Sequence, residues 1–133
     1  MKGFVLDASV LVELVTNENA TPVGRRTDDL IVTETAIGPP LLWSEPRNAV
    51  LKKARTRELT TDQRDTALDI LDRLPILLDE GVDRRASLRL ALAHGLSVHD
   101  AFYLEIAIRY DAPLATNDRA LRRAAKAEGV ALV

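Results

Sequence analysis

The sequence predicts an α/β fold, a three-layer α/β/α domain with a mainly parallel central sheet that spans residues 1–133. Short apolar runs alternate with segments of helical spacing, the order typical of a parallel sheet covered by helices. A length of 133 residues suits a single domain. The composition, 47% hydrophobic and 29% charged, is that of an ordinary globular chain.

Most elements follow from apolar spacing and from local start and stop signals. The predicted strands are short apolar runs at residues 3–6, 75–78, 112–115 and 129–133. The predicted helices carry apolar residues at helical spacing over residues 9–17, 41–57, 60–74, 83–94, 97–110 and 119–128. Thr60 and Gln63 form a capping box that starts one helix, and Gly95 closes another.

Two stretches give weaker signals. Residues 20–40 stay open, because residues 30–32 fit either a strand or the end of a helix, while Gly38-Pro39-Pro40 breaks whatever precedes it. In the following helix we expect Pro46 in the first turn, since a deeper proline would remove a helical hydrogen bond. This expectation also puts Glu45 near the helix N-terminus.

The composition excludes several kinds of site. Without cysteine there is no disulfide framework, thiol nucleophile, Fe–S cluster or cysteine-ligated zinc, and two histidines, His94 and His99, argue against a histidine-rich metal site. The net charge of −2 does not indicate a general polyanion binder, yet 18 Lys and Arg allow a local patch. No apolar stretch reaches the ~18 residues of a membrane span, and we expect a cytoplasmic protein.

Acidic residues follow two of the predicted strands. Asp7 ends the first, and Thr116-Asn117-Asp118 follows the strand at residues 112–115. Ligands of parallel α/β sheets bind beyond the carboxyl ends of the strands, so these side chains are candidates for a site. The alternative is that each aspartate merely caps the next helix.

Two further acids start predicted helices. Asp100 shares a helix face with Leu104 and Ala107, and this apolar face must point to the core, where a charge is costly unless paired or bound to metal. Its alternative role is in a capping box with Ser97. For Glu45 the alternative is a favourable interaction with the helix dipole.

Converging carboxylates repel one another by several kcal/mol at ~4 Å, so such a cluster persists when it takes up protons or a hard cation. Oxygen ligands select Mg²⁺ or Mn²⁺, and such an ion activates water and neutralises a phosphoryl group. The chemistry indicated is phosphodiester hydrolysis.

These motifs resemble a known family. Phe4-Val5-Leu6-Asp7-Ala8-Ser9, Ser44-Glu45, His99-Asp100-Ala101-Phe102-Tyr103-Leu104 and Leu114-Ala115-Thr116-Asn117-Asp118 are similar, in order and spacing, to PIN-domain nucleases, and most of all to the VapC ribonuclease toxins of VapBC toxin–antitoxin systems. The resemblance implies a Mg²⁺- or Mn²⁺-dependent endoribonuclease, commonly a homodimer. It further implies inhibition by a VapB-like antitoxin whose C-terminal segment occupies the active-site groove. Pro46 departs from the family pattern, since a β-branched or small residue is more usual there.

The resemblance also assigns roles. Asp7, Asp100 and Asp118 would contact the principal metal, and Glu45 would position a second ion or the attacking water. The supporting polar residues would be Ser9, Thr116 and Asn117, with Thr116 bonded to Asp7 or to a phosphate. The RNA path would follow Lys52, Lys53, Arg55 and Arg57, with Arg119, Arg122 and Arg123 as a second group, although basic residues also favour helix C-termini for dipole reasons alone.

Other functions fit less well. A haloacid dehalogenase-type phosphatase needs a second Asp where Ser9 stands, and a receiver domain needs a Lys after a late strand, where Thr116-Asn117-Asp118 stands. The remaining alternative is a catalytically inactive PIN-like module that binds RNA or protein.

Overall fold

The computed structural model describes residues 2–17 and 21–133 of the chain. Within these residues the elements, in chain order, are β1 (Gly3–Leu6), α1 (Ala8–Val15), α2 (Pro22–Leu30), β2 (Thr35–Gly38), α3 (Leu41–Arg55), α4 (Thr61–Arg73), β3 (Leu77–Leu78), α5 (Arg84–His94), α6 (Val98–Tyr110), β4 (Leu114–Ala115) and α7 (Arg119–Ala127).

The four strands form one parallel sheet in the order β3-β2-β1-β4. In this sheet β1 is central, pairing with β2 at Phe4↔Ala36 and with β4 at Leu6↔Ala115. Helices lie on both faces, which confirms the predicted three-layer α/β/α fold. Because β1 and β4 are parallel neighbours, their carboxyl ends open side by side.

The core is almost entirely aliphatic and is centred on β1. Phe4, Val5 and Leu6 are fully buried, and α6 packs over β1 and β4 with Leu104 fully buried as well. Tyr103 is the largest fully buried side chain. Among the described residues, no helix combines the length and apolarity needed to cross a lipid bilayer.

The stretch left open by the sequence contains a helix and a strand. Leu30 is the last residue of α2, so the helix-end interpretation is correct, and Val32 lies in a turn with 81% of its surface exposed. Strand β2 was not predicted from the sequence, because only Ala36 and Ile37 of its four residues are apolar. The strand does end at Gly38, where the break was predicted.

The C-terminal strand predicted at residues 129–133 is wrong. This segment forms only an isolated bridge, Leu114↔Leu132, supported by a bond from the Leu114 amide to the Ala131 carbonyl at 2.9 Å. The neighbouring strand β4 has two residues, which is too short to hold a longer ladder. The strand predicted at residues 75–78 likewise shortens to Leu77–Leu78.

The expected position of Pro46 is also wrong. The helix α3 begins at Leu41, so Pro46 is its sixth residue and lies buried in the second turn. A proline there removes the N–H that would bond to the Leu42 carbonyl. Glu45 therefore lies one turn further into the helix than the sequence predicted.

Candidate functional site

Asp7 lies at the point where two neighbouring strands end together. Its backbone N–H donates to the Ala115 carbonyl at 3.0 Å, which continues the ladder between β1 and β4 by one residue. Thr116 follows β4 and is fully buried. Its hydroxyl donates to Asp7 Oδ2 at 2.7 Å. The strand register alone therefore brings together two residues that are 109 positions apart.

The Asp7 side chain does not cap a helix, although it stands at the N-cap position of α1. Its Oδ2 accepts hydrogen bonds from Thr116 and from the Ser9 hydroxyl, the latter at 3.0 Å. The residue is only 8% exposed. The capping alternative therefore fails for Asp7, and two hydroxyl groups hold a buried carboxylate in a fixed orientation.

Asp100 of α6 and Glu45 of α3 lie near enough to Asp7 for the charges to interact. Ser97 caps α6 by accepting from the Asp100 N–H at 3.1 Å. Glu45 Oε1 accepts from the buried Tyr103 hydroxyl at 2.9 Å. Tyr103, one turn after Asp100, was not assigned a role from the sequence; its spacing from that acid is the signal that marks it.

Burial and neighbouring acids raise the pKa values of Asp7 and Glu45. Burial raises the pKa of Asp7, and the charge of Asp100 raises it further, against the hydrogen bonds from Thr116 and Ser9. Burial also raises the pKa of Glu45; the Tyr103 hydroxyl lowers it, Asp7 and Asp100 raise it, and His99 lowers it. The pKa of Tyr103 lies well above its ordinary value, because the hydroxyl is buried and faces these acids. The ionised cluster is thus unfavourable by itself.

The donor set fits a hard cation that keeps much of its water. Oxygen ligands and repelling carboxylates suit Mg²⁺ or Mn²⁺. Across residues 2–17 and 21–133, no three Asp, Glu, His or Cys side chains are grouped closely enough to hold one ion together. Mg²⁺ commonly binds through one or two carboxylates and retains several waters, so the residues fit a hydrated ion rather than a fully protein-coordinated one.

Asp118 and Asn117 have other contacts. Asp118 Oδ1 caps α7 by accepting from the Leu121 N–H at 2.8 Å, as the capping alternative requires. Its backbone N–H donates to Thr116 Oγ1 at 3.1 Å, so it lies next to the residue that holds Asp7. Asn117 Nδ2 donates to Thr21 Oγ1 at 3.1 Å and to Glu13 Oε1 at 3.4 Å. The sequence analysis assigned no site role to Glu13 or Thr21.

The basic residues proposed for RNA binding lie near the C-terminal end of α3 and on α7. Lys52 and Arg55 are exposed near the end of α3, whereas Lys53 forms an ion pair with Glu58 at 3.2 Å. A surface concavity of about 790 Å³ lies beside this helix end; its charged lining residues are Arg55, Arg57 and Arg64. On α7, Arg119 is exposed, and Arg122 donates to the Thr116 carbonyl at 2.8 Å.

Comparison with known proteins matches this architecture. The PIN domain family model matches residues 4–127. Ribonuclease VapC1 of Mycobacterium tuberculosis, in strains CDC 1551 / Oshkosh and ATCC 25618 / H37Rv, is 28% identical over 127 residues, which cover 93% of this chain and 92% of the relative.

Two solved structures share the fold. PAE2754 from Pyrobaculum aerophilum superposes with a TM-score of 0.66 at 24% identity, covering 92% of this chain and 86% of that one. VapBC2 from Rickettsia felis, in a crystal with a fragment of promoter DNA, gives 0.62 at 15% identity, covering 98% and 97%. At these identities the likeness concerns the fold alone.

Proposed function

The chain belongs to the PIN domain family, and from that premise we propose that it is an endoribonuclease, the toxin of a toxin–antitoxin pair, which hydrolyses RNA phosphodiester bonds. The observation that carries the proposal is the buried Asp7, held by Ser9 and Thr116 and facing two further acids. The similarity of the chain to Ribonuclease VapC1 over nearly its full length supports the ribonuclease activity.

The proposed site is the acidic quartet Asp7, Glu45, Asp100 and Asp118. Asp7, Asp100 and Asp118 would together place a divalent ion, Mg²⁺ or Mn²⁺, with one or two of them contacting it directly and the remainder through its bound water. Such an ion, when bound, supplies positive charge that activates water and offsets the charge of the phosphoryl group. Holding Asp118 to the ion requires its carboxylate to use the oxygen that does not cap α7.

The protein's own groups orient the reaction. Ser9 and Thr116 fix the Asp7 carboxylate, so it loses little freedom when it binds. Glu45 is held by Tyr103, and its raised pKa makes it a better proton acceptor for an attacking water than an ordinary glutamate. Asn117, which lies between Thr116 and Asp118, would hold the loop after β4 through its bonds to Glu13 and Thr21.

The RNA backbone would run along α3. Lys52 is seven residues after Glu45 and therefore lies on the same face of the helix, and Arg55 borders the arginine-lined concavity. Exposed basic side chains at these positions are suited to phosphate contacts. Lys53 contributes less, because Glu58 already offsets its charge. Arg119 begins α7, directly after Asp118.

We also propose the partners that such a toxin requires. A VapB-like antitoxin follows from the relationship to VapC proteins and from the VapBC2 assembly that shares the fold. A homodimer accounts for the apolar side chains Leu88 and Leu92, which lie one turn apart on α5 and are 52% and 78% exposed. The proposed RNA substrate would make the cytoplasm its place of action.

The test is metal-dependent cleavage of a labelled single-stranded RNA pool by the wild type, Asp7→Asn and the control Asp28→Asn, which alters an exposed acid of α2. We expect cleavage that requires Mg²⁺ or Mn²⁺, stops with EDTA, and falls by about 100-fold or more in Asp7→Asn but not in the control. Equal cleavage by Asp7→Asn and the wild type would indicate a contaminating nuclease and overturn the proposal. A wild type that binds RNA without cleaving it would favour the inactive binding module.

A further inference from the structure

Glu13 is the only charged residue of α1, and it joins three separate segments of the chain. In α1 it lies between Val12 and Leu14 and is half-buried. The Thr21 hydroxyl lies 2.8 Å from both of its carboxylate oxygens. The Asn117 amide donates to the same carboxylate and to Thr21. One acid therefore holds the start of α2 and the loop after β4 against α1.

The start of α2 is shaped around this carboxylate. Gly24 is the third residue of α2, and its N–H donates to Thr21 Oγ1 at 3.0 Å. A Cβ at position 24 would collide with Oε2 of Glu13. A side chain at position 24 would force the Glu13 carboxylate to move, so the observed close approach of the two residues depends on glycine.

Asn117 stands between the two residues whose placement matters for the proposed site. The loop is fixed at three consecutive positions: Thr116 bonds to Asp7, Asn117 bonds to Glu13 and Thr21, and Asp118 caps α7. The Asp118 N–H also donates to Thr116 Oγ1. A shift of Asn117 would therefore move the donor on Asp7 and the carboxylate of Asp118 together.

We propose that Glu13 is a positioning residue: through Asn117 it sets the placement of Thr116 and Asp118 relative to Asp7. The expected change in kcat rests on the proposed nuclease function, whereas the placement of the loop after β4 by Glu13 does not. Glu13 touches no reacting group in this scheme and acts only through the loop.

The kinetic test compares Glu13→Ala, Glu13→Gln, Asn117→Ala and the double alanine variant, with kcat and KM for RNA cleavage measured separately at saturating Mn²⁺. We expect each single alanine variant to lower kcat by about 10-fold and to change KM by less than about 2-fold, since orientation rather than RNA binding is lost. Glu13→Gln keeps an acceptor oxygen and should retain most of kcat. The double variant should be no worse than the more impaired single variant, because both changes remove one interaction.

A second readout is independent of cleavage. Hydrogen exchange of the Asp118 amide, which bonds to Thr116, should accelerate at least about 10-fold in Glu13→Ala and stay near the wild-type rate in Glu13→Gln, with amides of the β1 core unchanged. Gly24→Ala, which displaces the carboxylate sterically, should reproduce the effect of Glu13→Ala.

The outcomes separate the two proposals. An active wild type with unchanged kcat and unchanged Asp118 exchange in Glu13→Ala overturns the positioning role, as do losses in the two single variants that multiply in the double variant. An inactive wild type contradicts the nuclease function instead, and the exchange rates then still decide whether Glu13 positions the loop.

Discussion

Among the residues that the structure describes, two groups of acids contain buried carboxylates, and the charges of the two groups are compensated differently. One group, at the end of β1, is centred on Asp7, whose hydrogen bonds come from the neutral hydroxyls of Ser9 and Thr116. The other joins Asp79, which follows β3, to Glu105 of α6; these two acids are 8% and 4% exposed. These two acids share a guanidinium: Arg109 donates to Glu105 at 2.8 Å and to Asp79 at 3.1 Å.

The pKa shifts of Asp79 and Asp7 have opposite signs. Hydrogen bonds from Arg109, against the cost of burial and with help from Tyr110, hold the pKa of Asp79 below its ordinary value. Burial raises the pKa of Asp7, and the nearby Asp100 raises it further. The two aspartates are equally little exposed, yet burial dominates the pKa of Asp7, whereas the hydrogen bonds from Arg109 dominate the pKa of Asp79.

The difference is the one expected between acids that stabilise the fold, such as Asp79, and an acid of a proposed binding site, such as Asp7. A buried acid that serves the fold is supplied with its own cation, because an unpaired buried charge is costly. At the end of β1 the acids are oriented by hydroxyls, and neighbouring acids raise the pKa values of Asp7 and Glu45, so the proposed divalent ion would supply the compensating charge. This arrangement supports the proposed divalent-ion site and costs stability in its absence.

The largest expected effect comes from removing the arginine. Arg109→Met keeps much of the apolar stem and leaves Asp79 and Glu105 without their cation. We expect a loss of about 2–3 kcal/mol in the free energy of unfolding at pH 7, less than for a fully buried pair because Arg109 is 37% exposed. Urea denaturation measures it.

The matched control is Arg123→Met, which removes an exposed arginine from α7. Its free energy of unfolding should stay within about 0.5 kcal/mol of the wild type. Equal stability of the two variants would mean that Arg109 does not compensate the buried acids. Asp79 and Glu105 would then not differ from the acids near Asp7 in this respect.

The same cluster predicts a pH dependence with a definite sign. Because the pKa of Asp79 is lowered by folding, its contribution to stability is present above the unfolded pKa of about 3.9 and is lost as the pH falls through the lower, folded pKa. The stability gap between the wild type and Arg109→Met should therefore narrow below about pH 4. Unfolding by urea at pH 7, 4 and 3 checks this, and a gap of constant size would contradict it.

The sequence predicted those parts of the site that depend on strand order and helix faces. Asp7 and Thr116 follow strands that are parallel neighbours, so the rule about carboxyl ends was enough to bring them together. Asp100 was singled out as a candidate because a charge on an apolar helix face is costly unless it is compensated. For Leu104 and Ala107, which share that face, burial is confirmed.

The missed parts depend on contacts between side chains of distant elements. The position of Pro46 was wrong because the preference of proline for a first turn is local, whereas buried packing keeps α3 helical around it. No spacing rule connects Glu13 with Asn117 or Gly24, whose relation is a close approach of α1 to α2. The short strand β2 likewise owes its existence to pairing with β1 more than to its own residues.

The smallest expected effect is a gain in stability from disabling the proposed site. Asp7→Asn removes a buried charge that the fold does not compensate, and the amide oxygen still accepts from Ser9 and Thr116, which both contact the same carboxylate oxygen. At pH 7 without divalent ions, we expect the free energy of unfolding to rise by about 1 kcal/mol. The paired variant Asp79→Asn should shift it in the opposite direction, because it breaks a compensated contact with Arg109. If both variants lost stability equally in urea denaturation, the two groups of acids would serve the fold in the same way, and the distinction between them would not hold.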